Sequence, residues 1–314
     1  MRFLCDYLNE LVILSDGAVT TCCMDSLGVN RFASIYHESP DEIIHKYKKI
    51  VANIVENPVC MPRCKICYSK ISAANFPETG MYKINPTDDE IFHFMAQRDI
   101  PWQLVIEMSS ICNLACNGCM QSRENIPETR KQPLIDSDML TDWVRSGTEQ
   151  FKYIRLYNYG ETFIHPGALD FIEYTRKTSP KIKIEIATNG LLLNTHCKRK
   201  QLIDSNVHSV HFSIHGSDTE SVQKYMTSAF DFKKMMSILK DCSELKQKYR
   251  KDTHLIWKYL LFEWNDSVDH INRAKDLAKK AGMDRLIFVL PGFPSPSKRF
   301  SDFTPNTVVE TVFF

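Results

Sequence analysis

Beyond residue 100 the apolar positions fall into two kinds of segment. Short runs that are continuous or alternate every second residue occur at Gln103–Ser109, Tyr153–Asn158, Lys181–Thr188, His208–Ile214, His254–Phe262 and Leu286–Leu290. Their length and β-branched content predict strands. Between them, segments of helical period are expected at Asp138–Gly147, Ala168–Thr178, His196–Ser205, Phe232–Lys248 and Val268–Ala281. Gly282 stands where a helix C-terminus favours a left-handed residue. Strands separated by helices imply parallel βα units. Six such units predict an incomplete α/β barrel, with a tail after Pro291.

Within the strands the two faces differ. Ile182, Ile184 and Ile186 share one face, and Val210, Phe212 and Ile214 hold the same phase in the next strand. Opposite them lie Lys183, Glu185 and Asn189, then His211, Ser213 and His215, with Glu107, Arg155 and Lys258 similarly placed in their own strands. Barrel strands buried on both sides should read as mostly apolar. The expectation is therefore a polar cavity lined by one face, the alternative being edge strands with a solvated side. Before the barrel, Glu10–Thr21 reads as a hairpin turning at Asp16-Gly17, and a helix is expected over Asp41–Val55. This divides the chain into a cysteine-rich module over 1–85 and a barrel over 86–314.

Charge changes the picture mainly by exclusion. Lys and Arg number 39 against 38 Asp and Glu, so no field favours nucleic acid or a membrane surface. The first residues are interrupted by Arg2, Asp6 and Glu10, unlike a signal peptide, and no stretch approaches a transmembrane span. Nine of the eleven cysteines precede residue 120. Without a secretion signal, clustered cysteines argue for metal ligation in a reducing, cytoplasmic setting rather than for disulfides.

The densest cluster is Cys112, Cys116 and Cys119 in CNLACNGC. Three thiolates at that spacing can bind three irons of a cubane and leave the fourth open, as a catalytic metal site requires; zinc is the alternative. The expected strand ends carry further chemistry: Gly160 and Glu161 in YNYGETFIHP, Thr188, Asn189 and Gly190 in ATNG, and Ser213, His215 and Gly216 in SIHG. Catalytic groups of parallel barrels sit at C-terminal strand ends.

On these residues, across roughly 101–290, the chain resembles the radical S-adenosylmethionine (SAM) superfamily. The resemblance implies that Cys112, Cys116 and Cys119 hold a 4Fe–4S cluster whose open iron chelates the amino and carboxylate groups of SAM. It implies that Gly160 and Glu161 meet the amino group, that Ser213 and Asn189 hold the carboxylate or ribose, and that the adenine lies near Met120 and Leu290. An electron from a flavodoxin- or ferredoxin-type donor would then cleave SAM to methionine and a 5′-deoxyadenosyl radical, which abstracts a substrate hydrogen. Two positions depart from the family pattern: Gly118 stands where an aromatic residue is usual, and Tyr159 where a second glycine often stands.

The N-terminal cysteines resemble an auxiliary-cluster module of the SPASM or twitch type: Cys, strand, turn, strand, Cys-x₂-Asp, helix, C-x₂-C. By that resemblance Cys5, Cys22, Cys64 and Cys67 hold a second 4Fe–4S cluster, with Cys23 and Cys60 as alternates and a four-cysteine zinc site as the rival reading. The module precedes the barrel here, whereas in the family it normally follows. Cys197 is a candidate hydrogen-atom donor to a substrate radical, and His215 and Lys258 are candidate substrate contacts. The expected activity is oxidation or other modification of a small sugar-like or peptide substrate, with the second cluster carrying electrons. Peptide maturation or epimerisation is the alternative within the superfamily. An iron–sulfur electron carrier and a zinc-stapled structural protein are the alternatives outside it.

Overall fold

The structure is a computed structural model that describes residues 1–72, 81–96, 100–147 and 149–314. Its strands are β1 (Phe3–Cys5), β2 (Glu10–Ile13), β3 (Ala18–Thr20), β4 (Ala33–Ser34), β5 (Met81–Ile84), β6 (Gln103–Ile106), β7 (Tyr153–Leu156), β8 (Lys183–Thr188), β9 (Ser209–Ser213), β10 (His254–Leu260), β11 (Arg285–Val289) and β12 (Val308–Phe313). The helices are α1 (Pro40–Glu56), α2 (Pro62–Ser72), α3 (Asp88–Ala96), α4 (Met120–Arg123), α5 (Ser137–Ser146), α6 (Ala168–Thr178), α7 (His196–Asp204), α8 (Thr219–Met226), α9 (Phe232–Lys248) and α10 (Val268–Lys280). No helix among the described residues is long and apolar enough to cross a membrane.

The six expected strands form β6 to β11, hydrogen-bonded in sequence order and all parallel. Their outward residues, Leu104, Ile106, Ile154, Leu156, Ile184, Ile186, Val210 and Phe212, are completely buried, as are Leu202, Ile203, Met235 and Leu239 on the helices. Burial of this stripe, worth ~1.5–3 kcal/mol per large apolar side chain, joins the helices to one face of the sheet. The other face lines the lumen and carries Glu10, Glu107, Arg155, Glu185, His211 and Lys258.

The hairpin turns where expected, but β2 also pairs in parallel with β6, Glu10 opposite Gln103 and Ile13 opposite Ile106. It is a seventh parallel strand of the barrel sheet. The expected boundary near residue 85 is thus crossed by ladder bonds. Outward residues Leu11 and Ile13 pack under α1, whose Ile43, Tyr47, Val51 and Ile54 are fully buried. The Tyr47 hydroxyl donates to the Glu10 carbonyl at 2.8 Å. Helix α1 starts on a capping box made by Ser39 and Glu42.

Deeper cross-links follow. Arg130 and Glu107, both with completely buried side chains, pair at 2.7 Å, and Arg130 also donates to the Ser26 carbonyl at 3.0 Å. Tyr159, standing where a glycine was the pattern, donates from its hydroxyl to the Cys23 carbonyl at 2.8 Å. At the far edge the tail returns as β12, antiparallel to β11, and covers the ladder that β11 would otherwise expose.

Candidate active site

The cysteine loop leaves the C-terminal end of β6 and is held on three sides. Gly160 lies so close to it that a Cβ there would sit 1.9 Å from the Ser109 carbonyl oxygen and 2.8 Å from that of Ile111. The Glu161 amide donates to the Ile111 carbonyl at 2.9 Å. From the other side, the Asn117 amide donates to the Tyr225 carbonyl of α8 at 2.7 Å. Gly118 has φ +84°, and a Cβ on it would meet the Phe293 ring at 2.7 Å. The Arg123 guanidinium lies over that ring, 4.2 Å from its centroid. Position 118 thus lacks a side chain of its own, and an aromatic ring from the segment after β11 packs there instead.

Cys112, Cys116 and Cys119 are all partly exposed. Burial pushes the Cys112 thiol up to about 11 and the Cys116 thiol up to about 12, and neighbouring cysteines oppose ionisation further. Thiolates in such a place need cationic partners, and cluster irons would supply them, releasing the protons. Three thiols on one short loop are the donors that three irons of a cubane take, with the fourth iron left open, so the residues present fit the cluster.

The glutamate and asparagine of the rim motifs act as a pair. Glu161 is 3% exposed. Its carboxylate accepts from the Thr188 hydroxyl at 2.6 Å, the Asn189 amide at 2.9 Å and the Phe163 amide at 3.3 Å. Burial raises its pKa against the pull of those bonds. It was expected to meet the amino group of SAM, but its carboxylate is turned into the scaffold, bridging the ends of β7 and β8. What it positions is Asn189, whose side-chain amide donates to Asn113 Oδ1 at 2.8 Å and lies 3.8 Å from the Cys112 sulfur. Asn189 is thus brought to the cysteine loop. Ser213 ends β9, half-buried and directly beside Lys258 of β10 in the ladder.

Two other expectations are corrected. His215 is 6% exposed and serves the scaffold: its Nδ1 accepts from the Leu260 amide at 3.2 Å, and its carbonyl accepts from Asn265 at 3.0 Å. Burial holds its pKa down at about 3, so the ring is neutral and poorly suited to proton transfer at neutral pH. Cys197 is exposed near the start of α7 on the outside of the barrel, away from the lumen where a substrate radical would form. Leu290 is buried beneath the returning tail, its amide donating to Thr307 and its carbonyl accepting from Asn306. Phe293, three residues further on, reaches the cysteine loop. Met120 opens α4 immediately after Cys119, half-buried. Asn113, Tyr225 and Phe293 were missed, and the missing side chain at Gly118 was the one sequence signal for the last.

In the N-terminal region, Cys5, Cys22, Cys64 and Cys67 line one cavity together with Phe3, Tyr7, Leu8, Met24 and Arg63. All four are buried. Burial pushes the Cys64 thiol up to about 12 and raises Cys5 and Cys22 as well. Asn30 donates to the Cys64 sulfur at 3.7 Å. Asp25 organises the intervening loop: its carboxylate accepts from the Thr20 hydroxyl, from the Val29 amide at 2.9 Å and from the Asn30 amide at 2.8 Å. The alternates are not in this cavity. Cys60 is exposed, and Cys23 packs with Val12, Leu14, Val105 and Tyr157 on the lumen side.

Comparison with known proteins bears on this arrangement. The profile of the Radical SAM superfamily matches residues 106–271, more than half of the chain. Two proteins named GTP 3',8-cyclase are similar: one from Alkaliphilus oremlandii (strain OhILAs), 27% identical over 143 residues, and one from Clostridium perfringens (strain SM101 / Type A), 26% identical over 212 residues. The matches cover 45% and 67% of this chain and 42% and 61% of those relatives, so less than two thirds of either is spanned. Among solved structures, native anSMEcpe with bound AdoMet aligns with TM-score 0.46 at 19% identity, over 62% of this chain and 55% of that one. Methylornithine synthase aligns with TM-score 0.45 at 13% identity, over 62% and 58%.

Proposed function

The chain belongs to the Radical SAM superfamily, and we propose that Cys112, Cys116 and Cys119 hold the 4Fe–4S cluster at which this enzyme cleaves SAM, in order to modify a small molecule or a peptide. When bound and reduced, the cluster would supply one electron to SAM, whose S–C5′ bond would break to give methionine and a 5′-deoxyadenosyl radical. The observation that carries the assignment is the chain of contacts from Gly160 and Glu161 through Asn189 to Cys112. It ties the ends of β7 and β8 to the loop that leaves β6.

In this reading each residue has a bounded task. The thiolates anchor the cluster, with Asn189 and Ser213 as polar groups for the bound cofactor. Glu161 holds Asn189 in place from behind. Tyr225 and Phe293 flank the loop and keep water from part of it. The seven parallel strands and the returning tail enclose the lumen, where a substrate carbon could be held within ~3–3.5 Å of the reacting atom.

Cys5, Cys22, Cys64 and Cys67 are proposed as ligands of a second 4Fe–4S cluster. Four thiols around one cavity leave no iron open, which favours carrying electrons over binding substrate. The name shared by the two curated relatives supports including GTP among the candidate substrates, beside the sugar-like and peptide substrates suggested by the sequence. A reductant of the flavodoxin or ferredoxin kind is the proposed electron donor.

The test is anaerobic reconstitution, reduction, and incubation with SAM. Formation of 5′-deoxyadenosine supports the reading, and its absence from a protein that holds iron refutes it. An iron content of about eight per chain is expected if both clusters form, and about four would remove the second.

A further inference from the structure

Most charged side chains on the inward faces of the strands have an ionic, hydrogen-bonding or ring partner. Arg155 pairs with Glu185 at 2.9 Å. Glu107 is held by Arg130 at 2.7 Å and by Asn158 at 2.8 Å. Glu10 accepts from the Cys23 amide at 2.7 Å. The His211 ring meets the Ser209 hydroxyl at 3.2 Å, and the Arg285 guanidinium lies over the Phe313 ring at 5.2 Å. Lys258 has no such partner among the described residues.

Its place is fixed by the strand. Leu255, Trp257 and Tyr259 are completely buried on the helix-facing side of β10, so Lys258 points the other way, into the lumen. Its side chain is exposed to the water of the lumen, and the surrounding protein lowers its pKa with no carboxylate opposing the shift. The nearby titratable groups do not neutralise it: burial holds His211 down at about 4 and His215 at about 3, so both rings are neutral. Arg155 and Arg285 add positive charge, and Glu185 is already committed to Arg155. In the ladder Lys258 stands opposite Ser213 and Ile287. Leu260 and Val289 form the next inward layer toward the rim.

An unpaired cation in a cleft between low-dielectric walls attracts an anion more strongly than one on an open surface. We propose that Lys258 binds an anionic group, carboxylate or phosphate, of the substrate in the barrel lumen. This rests on the reading that the lumen holds substrate; Ser213, beside Lys258 in the ladder, is proposed for SAM, so SAM affinity measured on the same variants separates the two anions.

The test uses the full-length, cluster-loaded protein and calorimetric titration with inorganic pyrophosphate and, separately, with citrate. Wild type is expected to bind at least one of them, more weakly as salt rises. Lys258→Met should lose about tenfold or more in affinity, and Lys258→Arg should stay within a few-fold. Lys233→Met, on the exposed side of α9, should match wild type. SAM affinity, titrated on the same preparations, should be unchanged by Lys258→Met. Thermal unfolding adds a second readout: Lys258→Met should abolish the rise that the anion gives to wild type. The proposal is overturned if wild type binds neither anion, if Lys258→Met binds as wild type does, or if only SAM affinity responds. Failure to form 5′-deoxyadenosine would instead overturn the reading of the site, with anion binding still scored independently.

Discussion

Replacing Gly160 with alanine tests the contact on which the metal loop is built. The new Cβ would fall 1.9 Å from the Ser109 carbonyl oxygen, 2.6 Å from its carbon and 2.8 Å from the Ile111 oxygen. These are backbone atoms and cannot rotate away, so the two segments must part by roughly 1 Å or more in a close-packed region. Overpacking of this kind costs ~1–3 kcal/mol. Separation would also strain or break the bond from the Glu161 amide to the Ile111 carbonyl, 2.9 Å long, adding ~1 kcal/mol. A loss of ~2–4 kcal/mol leaves most domains of ~5–15 kcal/mol folded. The displacement, however, falls one residue before Cys112 on one side and moves Glu161, hence Asn189, on the other. We expect Gly160→Ala to fold, to lower the urea midpoint, and to retain well under half of the wild-type iron at the SAM cluster. Gly147→Ala is the control, because its Cβ would meet nothing closer than 3.4 Å, and it should stay within ~0.5 kcal/mol of wild type. A Gly160→Ala protein with wild-type iron content and an unchanged midpoint would refute the account of how the loop is held.

Further outcomes follow from the same geometry. Alanine at Cys112, Cys116 or Cys119 should abolish 5′-deoxyadenosine formation while circular dichroism remains that of wild type; persisting turnover would sink the assignment. Cys22→Ala should lower total iron by about half and leave SAM binding in place, and unchanged iron would exclude Cys22 as a ligand. Arg130→Met strands the Glu107 carboxylate, whose side chain is completely buried, and should cost ~3–5 kcal/mol in urea unfolding; the double variant with Glu107→Gln should recover part of that. His215 has a folded pKa lowered to about 3, below its unfolded value of ~6.5. Its contribution is therefore complete above the unfolded pKa and declines as pH falls below it, because the unfolded chain takes up the proton first. Between pH 6.5 and 5, His215→Asn should flatten stability against pH by up to ~1.4 kcal/mol per unit, and an identical slope would contradict the burial.

The parallel strands were legible because their signal is local: Ile184 and Ile186, or Val210 and Phe212, alternate with polar residues within a single run. The cysteine spacing was legible for the same reason, and the four thiols expected to share the N-terminal site do line one cavity. What escaped depends on distant partners. Nothing in the Glu10–Thr21 hairpin announces that β2 pairs with β6, nor that the apolar tail returns as β12 on β11. The side to which a group faces was the other source of error. Glu161 follows a rim glycine as expected, yet its carboxylate turns inward to Thr188 and Asn189, and Cys197 lies on an outer helix. His215 holds the inward phase of its strand, but sits where the chain leaves β9 and is consumed by backbone bonds. Lys258 keeps the same phase without such partners, a difference that only the three-dimensional neighbours reveal.

The parallel pairing of β2 with β6 also sets an order of events during synthesis. Ser15 and Glu107, which bond across that junction, are 92 residues apart, and translation at ~5–20 residues per second separates their emergence by several seconds. Until β6 leaves the ribosome, the hairpin has only its own short partner, and Val12 and Leu14 lack the wall formed by Val105 and Tyr157. Cys23 therefore emerges seconds before its lumen-side wall, whereas the cavity of Cys5, Cys22, Cys64 and Cys67 is lined wholly by residues 3–67 and does not wait for the barrel.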